Sequence, residues 1–310
     1  MKTKRFIGLL LGFVFLLAPC TVYASEMGAS YYFPGISATF APALAPHPGA
    51  AFVEQMLYQN GKANTAVVRG RVEVDVRTDV FFNVVGYTKA GKPSKSGQTF
   101  QWGVFVPYAK VSLNASATGV HGGHSVTDST TAIGDSTLIG SWYWKKGDMH
   151  YKVTQSVFAP TGAYTMGNMS NVGRNYWGFD TTFAMTHINM KNGVEFSFAP
   201  GVMFNTKNNA TDYQTGTEFH MEFALNKHYF KKHYAIGLQG YYYKQISGDS
   251  GSGARLGSFQ GESYGIGPAI LWTPPAGKGK VNVIAKWMFD LHHENRLHGN
   301  YGQLIIAYNF

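Results

Sequence analysis

The feature that most constrains this chain is a period-two alternation carried over runs of about ten residues and more. Val194, Phe196, Phe198, Pro200, Val202 and Phe204 alternate with Glu195, Ser197, Ala199, Gly201, Met203 and Asn205. Successive side chains of a strand point to opposite faces, so this is a strand with one apolar and one polar side. Phe219, Met221, Phe223 and Leu225 against Glu218, His220, Glu222 and Asn226 repeat the pattern. Upstream, Val72, Val74, Val76, Val80 and Phe82 alternate with Arg71, Glu73, Asp75, Arg77 and Asp79. Strands of a soluble sandwich usually run about five or six residues, whereas a tilted strand needs about ten to cross a bilayer. Trp142, Trp144, Trp177, Trp272 and Trp287 stand near the ends of the apolar sides, as in an interfacial girdle. The expected fold is all-β: an antiparallel transmembrane β-barrel of about twelve strands over residues 51–310, with lipid outside and water inside.

The N-terminus fits an exported protein. Lys2, Lys4 and Arg5 precede an apolar run from Phe6 to Ala18, and Val22-Tyr23-Ala24 forms a small-residue cleavage site, so residues 1–24 are expected to be a signal peptide removed near Ala24. The run is shorter than the roughly 20 residues of a spanning helix. Cys20, the single cysteine, lies inside it, and Pro19 stands where a lipoprotein signal wants a small residue. The mature chain then has no thiol for a disulfide, a Cys-based zinc site or catalysis. The net charge of +9 includes the three signal-peptide cations, and the others fall mostly in turns such as Lys145-Lys146 and Lys231-Lys232 rather than on one face. That distribution argues against nucleic acid and leaves a secondary affinity for anionic lipid headgroups.

The first strands are expected at 51–59, 70–88 and 98–114. An even strand number puts both chain ends on one side. Taking that side as periplasmic makes 145–149, 189–193, 227–233 and 274–280 short periplasmic turns, and the Gly-, Ser- and Asn-rich stretches 115–131, 162–174 and 248–259 extracellular loops. Leu304, Ile306, Tyr308 and Phe310 alternate to a terminal aromatic. Such a strand is suited to recognition by the outer-membrane assembly machinery and to closure against the first strand, which removes an unpaired edge. Residues 25–50 break the rhythm: Tyr31-Tyr32-Phe33-Pro34-Gly35 and the prolines 42, 46 and 48 exclude a central strand or helix. They form either a periplasmic leader or a partial plug in the barrel mouth.

Alternation places a set of charges on polar faces: Arg71, Glu73, Asp75, Arg77 and Asp79 on one strand, with Glu195, Glu218, Glu222, Lys286, Asp290 and Glu294 on others. A wet lumen or a paired network accommodates them where a dry core would not. They are either a structural network or a charged constriction that sets solute selectivity. Tyr241 and Tyr243, opposite Ile236 and Leu238, offer an inward stacking track or packing groups. Gly248-Asp249-Ser250-Gly251 superficially matches a serine-protease nucleophile loop, but no scaffold for a triad accompanies it and it is read as an extracellular loop. His292, His293, Glu294 and His298, with His121 and His124 elsewhere, are metal-capable, yet adjacent strand residues face opposite ways, so no metal site and no cofactor are expected.

Gly134-Asp135-Ser136-Thr137, Ala159-Pro160-Thr161-Gly162-Ala163-Tyr164, Thr211-Asp212-Tyr213-Gln214-Thr215-Gly216, Gln245-Ile246-Ser247-Gly248-Asp249 and Gly265-Ile266-Gly267-Pro268 resemble, in order and spacing, the transporter-like proteins of the meta-pathway of phenol degradation family. The likeness runs from about Tyr31 to Phe310. It implies an outer-membrane barrel of a Gram-negative bacterium, in contact with lipid, that admits small aromatic or other hydrophobic compounds, and it supplies no catalytic residue. The alternatives are an outer-membrane enzyme of phospholipase type and a structural or adhesion barrel without transport.

Overall fold

The computed structural model describes residues 30–67, 72–119, 122–254, 257–258, 260–276 and 279–310. The expected signal peptide lies outside them, as do Arg71 and His121, and of Glu73 only the backbone is described. The strands are β1 (Gly49–Val67), β2 (Val72–Ala90), β3 (Thr99–Gly119), β4 (Gly122–Ile133), β5 (Ser136–Lys146), β6 (Met149–Ala159), β7 (Gly178–Ile188), β8 (Val194–Asn205), β9 (Glu218–Tyr229), β10 (Tyr234–Gln245), β11 (Glu262–Trp272), the two-residue β12 (Pro275–Ala276), β13 (Gly279–Glu294) and β14 (His298–Asn309). Both β4 and β5 pair with β3, so they form one stave interrupted at Gly134-Asp135, and β12 only caps β13. Twelve antiparallel staves result. β11 pairs with β13, and β14 pairs with β1 from Ala51↔Asn309 to Lys62↔His298, so the sheet closes on itself. Closure leaves no unsatisfied edge at bilayer depth.

Stave length divides the barrel in two. β5 to β11 run 11 or 12 residues, the reach of a bilayer, whereas β1, β2 and β3 run 19, 19 and 21. At about 3.3 Å per residue, eight extra residues carry that wall roughly 25 Å further along the strands. The stretch 115–131, expected as a loop, is a correction: it is the top of the β3–β4 hairpin, paired from Tyr108↔Ile133 to Gly119↔Gly122. Its Gly, Ser and Asn content suggests a loop. On a ribbon standing in water, however, Ser112, Asn114 and Ser116 can face solvent while Val111, Leu113 and Ala115 face inward, which is alternation with the polar side turned out.

On β8 the faces are as the alternation indicates, with Phe196 and Phe204 exposed and Glu195, Ser197 and Ala199 fully buried. β9 and β10 follow, with Leu225, Ile236 and Leu238 outward and Glu218, Glu222, Tyr241 and Tyr243 inward. Aromatics band the outer surface: Phe310, Phe52, Tyr87 and Trp102 form a chain of ring contacts 5.5–5.8 Å apart, and Phe100 meets Trp142 at 4.8 Å. The band is not wholly apolar, since Asn83 donates to Glu54 at 3.1 Å and Thr181 to Gln155 at 2.7 Å.

Two face assignments are overturned. On β2 it is Thr78, Val80, Phe82 and Val84 that face inward, so Asp75, Arg77 and Asp79 point out, beyond the apolar band that ends near Phe81. The strand is longer than a bilayer, and its outer face changes from lipid-facing to water-facing along its length. On β13 the register shifts opposite Tyr264 and Gly265, which puts Glu294 on the exposed side, across from Glu262. A bulge of one residue exchanges inside for outside.

Candidate functional site

Residues 30–48 run through the barrel interior and are bound mainly by the β7–β14 wall. Phe33-Pro34-Gly35-Ile36 makes a turn closed by Ile36 N–H donating to the Phe33 carbonyl at 3.3 Å. Proline suits its first central position, and Gly35, at φ +85°, supplies the left-handed second. The turn is clamped between opposite charges: Gly35 N–H donates to Glu222 Oε1 at 2.9 Å, and its carbonyl accepts from Lys286 Nζ. Glu222 also accepts from the Tyr32 hydroxyl at 2.9 Å, Ser37 N–H at 2.7 Å and Ala38 N–H at 2.6 Å. Four donors, three of them backbone amides, compensate a fully buried carboxylate. Burial, reinforced by that carboxylate, pushes the Tyr32 phenol well above its ordinary range, so it remains a donor.

Neighbouring carboxylates extend the same device. Glu195 accepts from Ala41 N–H, the Ser197 hydroxyl, the Asn226 amide and His228 at 2.5–2.9 Å. Glu218 accepts from the Ser30 hydroxyl at 2.5 Å. Gln303 donates to the Pro34 carbonyl at 2.7 Å. Asp290 accepts from the Tyr241 hydroxyl and from Gly299 N–H, and Tyr32 stacks on His220, 4.4 Å between centroids, with Tyr243 beyond it at 5.8 Å. The structure thus brings Glu195, Glu218, Glu222, Tyr241, Tyr243, Lys286 and Asp290 together in the lumen. It does not bring Asp75, Arg77 or Asp79 there. Arg77 pairs with Asp75 at 3.3 Å on the water-facing side of β2, its side chain 73% exposed, and Asp79 accepts from the outward Tyr58 hydroxyl. The described charges of β2 therefore form neither a network nor a constriction in the lumen.

The opposite wall is of another kind. Between the inner segment and β1–β6 lies a cavity of about 380 Å³. Leu57, Val80, Phe82, Phe105, Val111 and Leu113 give it an apolar wall, Tyr31 to Phe33 its floor, and Met169, Val172 and Leu297 its extracellular side. Polar side chains also reach it, among them Lys152, Asp135 and Arg296. The alternation pointed to none of these three as a lumen group. Lys152 sits on a strand whose two faces alternate poorly, and Arg296 stands in the short turn between β13 and β14, where sequence indicates only solvent.

The recurrent motifs pin the extracellular loops rather than carry chemistry. Asp135, at the break between β4 and β5, accepts from Gly162 N–H at 2.8 Å, Arg174 N–H at 2.6 Å and the Tyr31 hydroxyl at 2.7 Å. A Cβ on Gly162 would lie 2.6 Å from the Gly134 carbonyl carbon, so the two segments touch only because glycine is there. Asp249 accepts from Gly216 N–H, the Tyr213 hydroxyl and the Gln245 amide, which accounts for the Gly-Asp-Ser stretch as an anchor between loops. His292 stacks on Tyr264, the His293 and His298 rings meet at a tilt, and among the described residues no three His, Cys, Asp or Glu side chains converge on a metal position.

A family model described as "Putative MetA-pathway of phenol degradation" matches residues 58–305. No curated protein matches the chain. Among solved structures it is similar to an outer membrane channel from Pseudomonas putida F1, at 15% identity over 90% of this chain and 100% of that one, with a TM-score of 0.68. It is also similar to the transport unit of the autotransporter AIDA-I from Escherichia coli, at 10% identity over 92% and 94% and a TM-score of 0.48. A third similarity is to a TodX variant described as a monoaromatic hydrocarbon channel, at 9% identity over 93% and 98% and a TM-score of 0.42. The first establishes the fold, that of an outer-membrane channel barrel; the other two add nothing to it.

Proposed function

The chain belongs to the MetA-pathway of phenol degradation family, and from that premise we propose that it is an outer-membrane channel of a Gram-negative bacterium for passive uptake of small aromatic or hydrophobic compounds. It would be exported by a signal peptide cleaved near Ala24 and assembled through the strand that ends in Phe310. The observation that carries the proposal is the apolar cavity against β1–β6. A cavity of about 150 Å³ lined by apolar side chains already binds benzene, so 380 Å³ has room for a substituted ring. The tall β1–β4 wall continues the apolar inner surface upward through Val111, Leu113 and Ala115, giving an apolar solute a path from the cell exterior to the cavity.

Below the cavity the inner segment acts as a partial plug, and passage requires part of it to shift. Its polar attachment favours this, because hydrogen bonds to Glu222 and Glu195 can be exchanged for water, whereas a segment packed by apolar side chains alone would gain nothing by moving into a wet lumen. The channel needs no catalytic residue and no cofactor.

Planar-bilayer conductance of the purified protein tests the proposal. Brief resolved openings that become long-lived when residues 30–46 are deleted support a plugged channel. Silence in both forms, with the barrel shown folded by heat-modifiable gel mobility, would favour the structural barrel, which the dense bonding of the inner segment otherwise suits. Lipase activity of the refolded protein would favour the enzyme.

A further inference from the structure

We propose that the cavity against β1–β6 is a binding site for apolar solutes that carry one anionic oxygen head, aromatic carboxylates above all, with the head held by Arg296. This rests on the proposal that the barrel passes small solutes, and it narrows their chemistry.

The charged groups of the cavity differ in whether they still have bonds to make. Its carboxylate is Asp135, and both oxygens are occupied, by Gly162 N–H on one side and by Arg174 N–H and the Tyr31 hydroxyl on the other. Arg296 is the reverse case. It is 6% exposed, its guanidinium carbon lies 3.7 Å from the centre of the Tyr243 ring, and its buried Nη1 has no hydrogen-bond partner. Stacking on a ring uses the face of a guanidinium and leaves its edge donors unspent. Lys152 also lines the cavity, with its ammonium 5.9 Å from the Tyr143 ring centre. Glu218 and Asp290 act on Arg296 electrostatically, but each already accepts from another donor, Ser30 for Glu218, and Tyr241 and Gly299 for Asp290.

The charged capacity left in this largely apolar space is therefore cationic and donating. A hydrocarbon would fill the apolar wall but leave Arg296 Nη1 buried and unpaired, and a cationic solute would be opposed by the lining cations Lys152, Arg174 and Arg296. A benzoate-like solute satisfies both parts: the ring against Phe82, Phe105 and Val111, and a carboxylate oxygen at the guanidinium edge.

The test is equilibrium binding of benzoate, toluene and benzylamine to the full-length barrel in detergent, followed by intrinsic fluorescence. Saturable benzoate binding is expected, weaker toluene binding and no benzylamine binding. Arg296→Gln should weaken benzoate about tenfold or more, the scale of a lost hydrogen bond to a charged group, and leave toluene unchanged, while Arg296→Lys restores part of the loss. Lys152→Met should weaken benzoate by a smaller factor, and it keeps the inference testable should Arg296→Gln fail to fold. Benzoate affinity that survives either neutral substitution in a folded barrel, or benzylamine binding as tight as benzoate, would overturn the inference. Liposomes that pass no benzoate while Arg296-dependent binding persists would defeat the channel proposal and leave this site standing.

Discussion

The β1–β6 wall and the β7–β14 wall enclose one lumen with opposite chemistry. The second presents Glu195, Glu218, Glu222, Gln239, Lys286 and Gln303 inward, nearly all fully buried, and most of them bonded to the inner segment. The first presents Leu57, Val80, Phe82, Phe105 and Val111 to open space. A peptide backbone was bound where the wall offers carboxylates and amides, because buried backbone N–H and C=O groups must find partners. It left free the side that offers fewer of them. In a barrel of intermediate bore the polar staves thus serve as the floor for an internal segment, and the apolar staves define the space left for a solute.

The largest effect is expected from breaking the polar attachment. Glu222→Ala removes the acceptor for four donors and leaves Lys286 less compensated, a loss of about 3 to 5 kcal/mol on the scale of broken buried pairs. It should free the turn at Gly35 and raise conductance several-fold. Unchanged conductance in a folded Glu222→Ala barrel would mean that the inner segment is not held from this side.

A second pair of substitutions compares the two faces of one strand. Phe198→Arg places a charge on the lipid side of β8 and should cost about 2 to 4 kcal/mol. Glu195→Gln turns an amide group toward donors that need an acceptor and should cost about 1 to 3 kcal/mol. Urea midpoints of the refolded proteins give both values. A Gln variant as stable as wild type would show that the Glu195 bonds contribute little.

On the apolar wall, Val80→Ser should change stability by about 1 kcal/mol or less, since the side chain borders open space rather than a packed core. It should nonetheless slow toluene flux into liposomes. A flux that stays the same would separate the cavity from the route of passage.

The smallest effect is expected outside the lumen. Arg77→Ala removes an exposed ion pair worth about 0 to 1 kcal/mol, and because Arg77 faces water on the outer side of β2, the reversal potential should not move. A clear shift toward cations would return Arg77 to the conduction path and contradict the face assignment.

How much of this was legible depended on whether one face of a strand differs chemically from the other over its whole length. On β8, β9 and β10 it does, and Phe196, Phe223 and Leu238 against Glu195, Glu222 and Gln239 identify inside and outside without a structure. On β2 the inner face is apolar because it borders the cavity, and the outer face is polar where the strand rises beyond the bilayer. The same alternation therefore implied the opposite orientation. Glu294 was misplaced for a different reason, a bulge that one sequence does not announce.

Local periodicity is enough to specify an antiparallel barrel of about twelve staves, its aromatic band and its terminal strand. Where residues 30–48 lie, their anchoring by Glu222 and the reach of Arg296 into the cavity emerge once the barrel has closed. The Glu222 contacts join groups 184 or more residues apart, as Ala38 and Glu222 are, and they follow from which donors and acceptors remain unmet once the barrel has closed. No local pattern encodes that remainder, because it is a property of the assembled lumen.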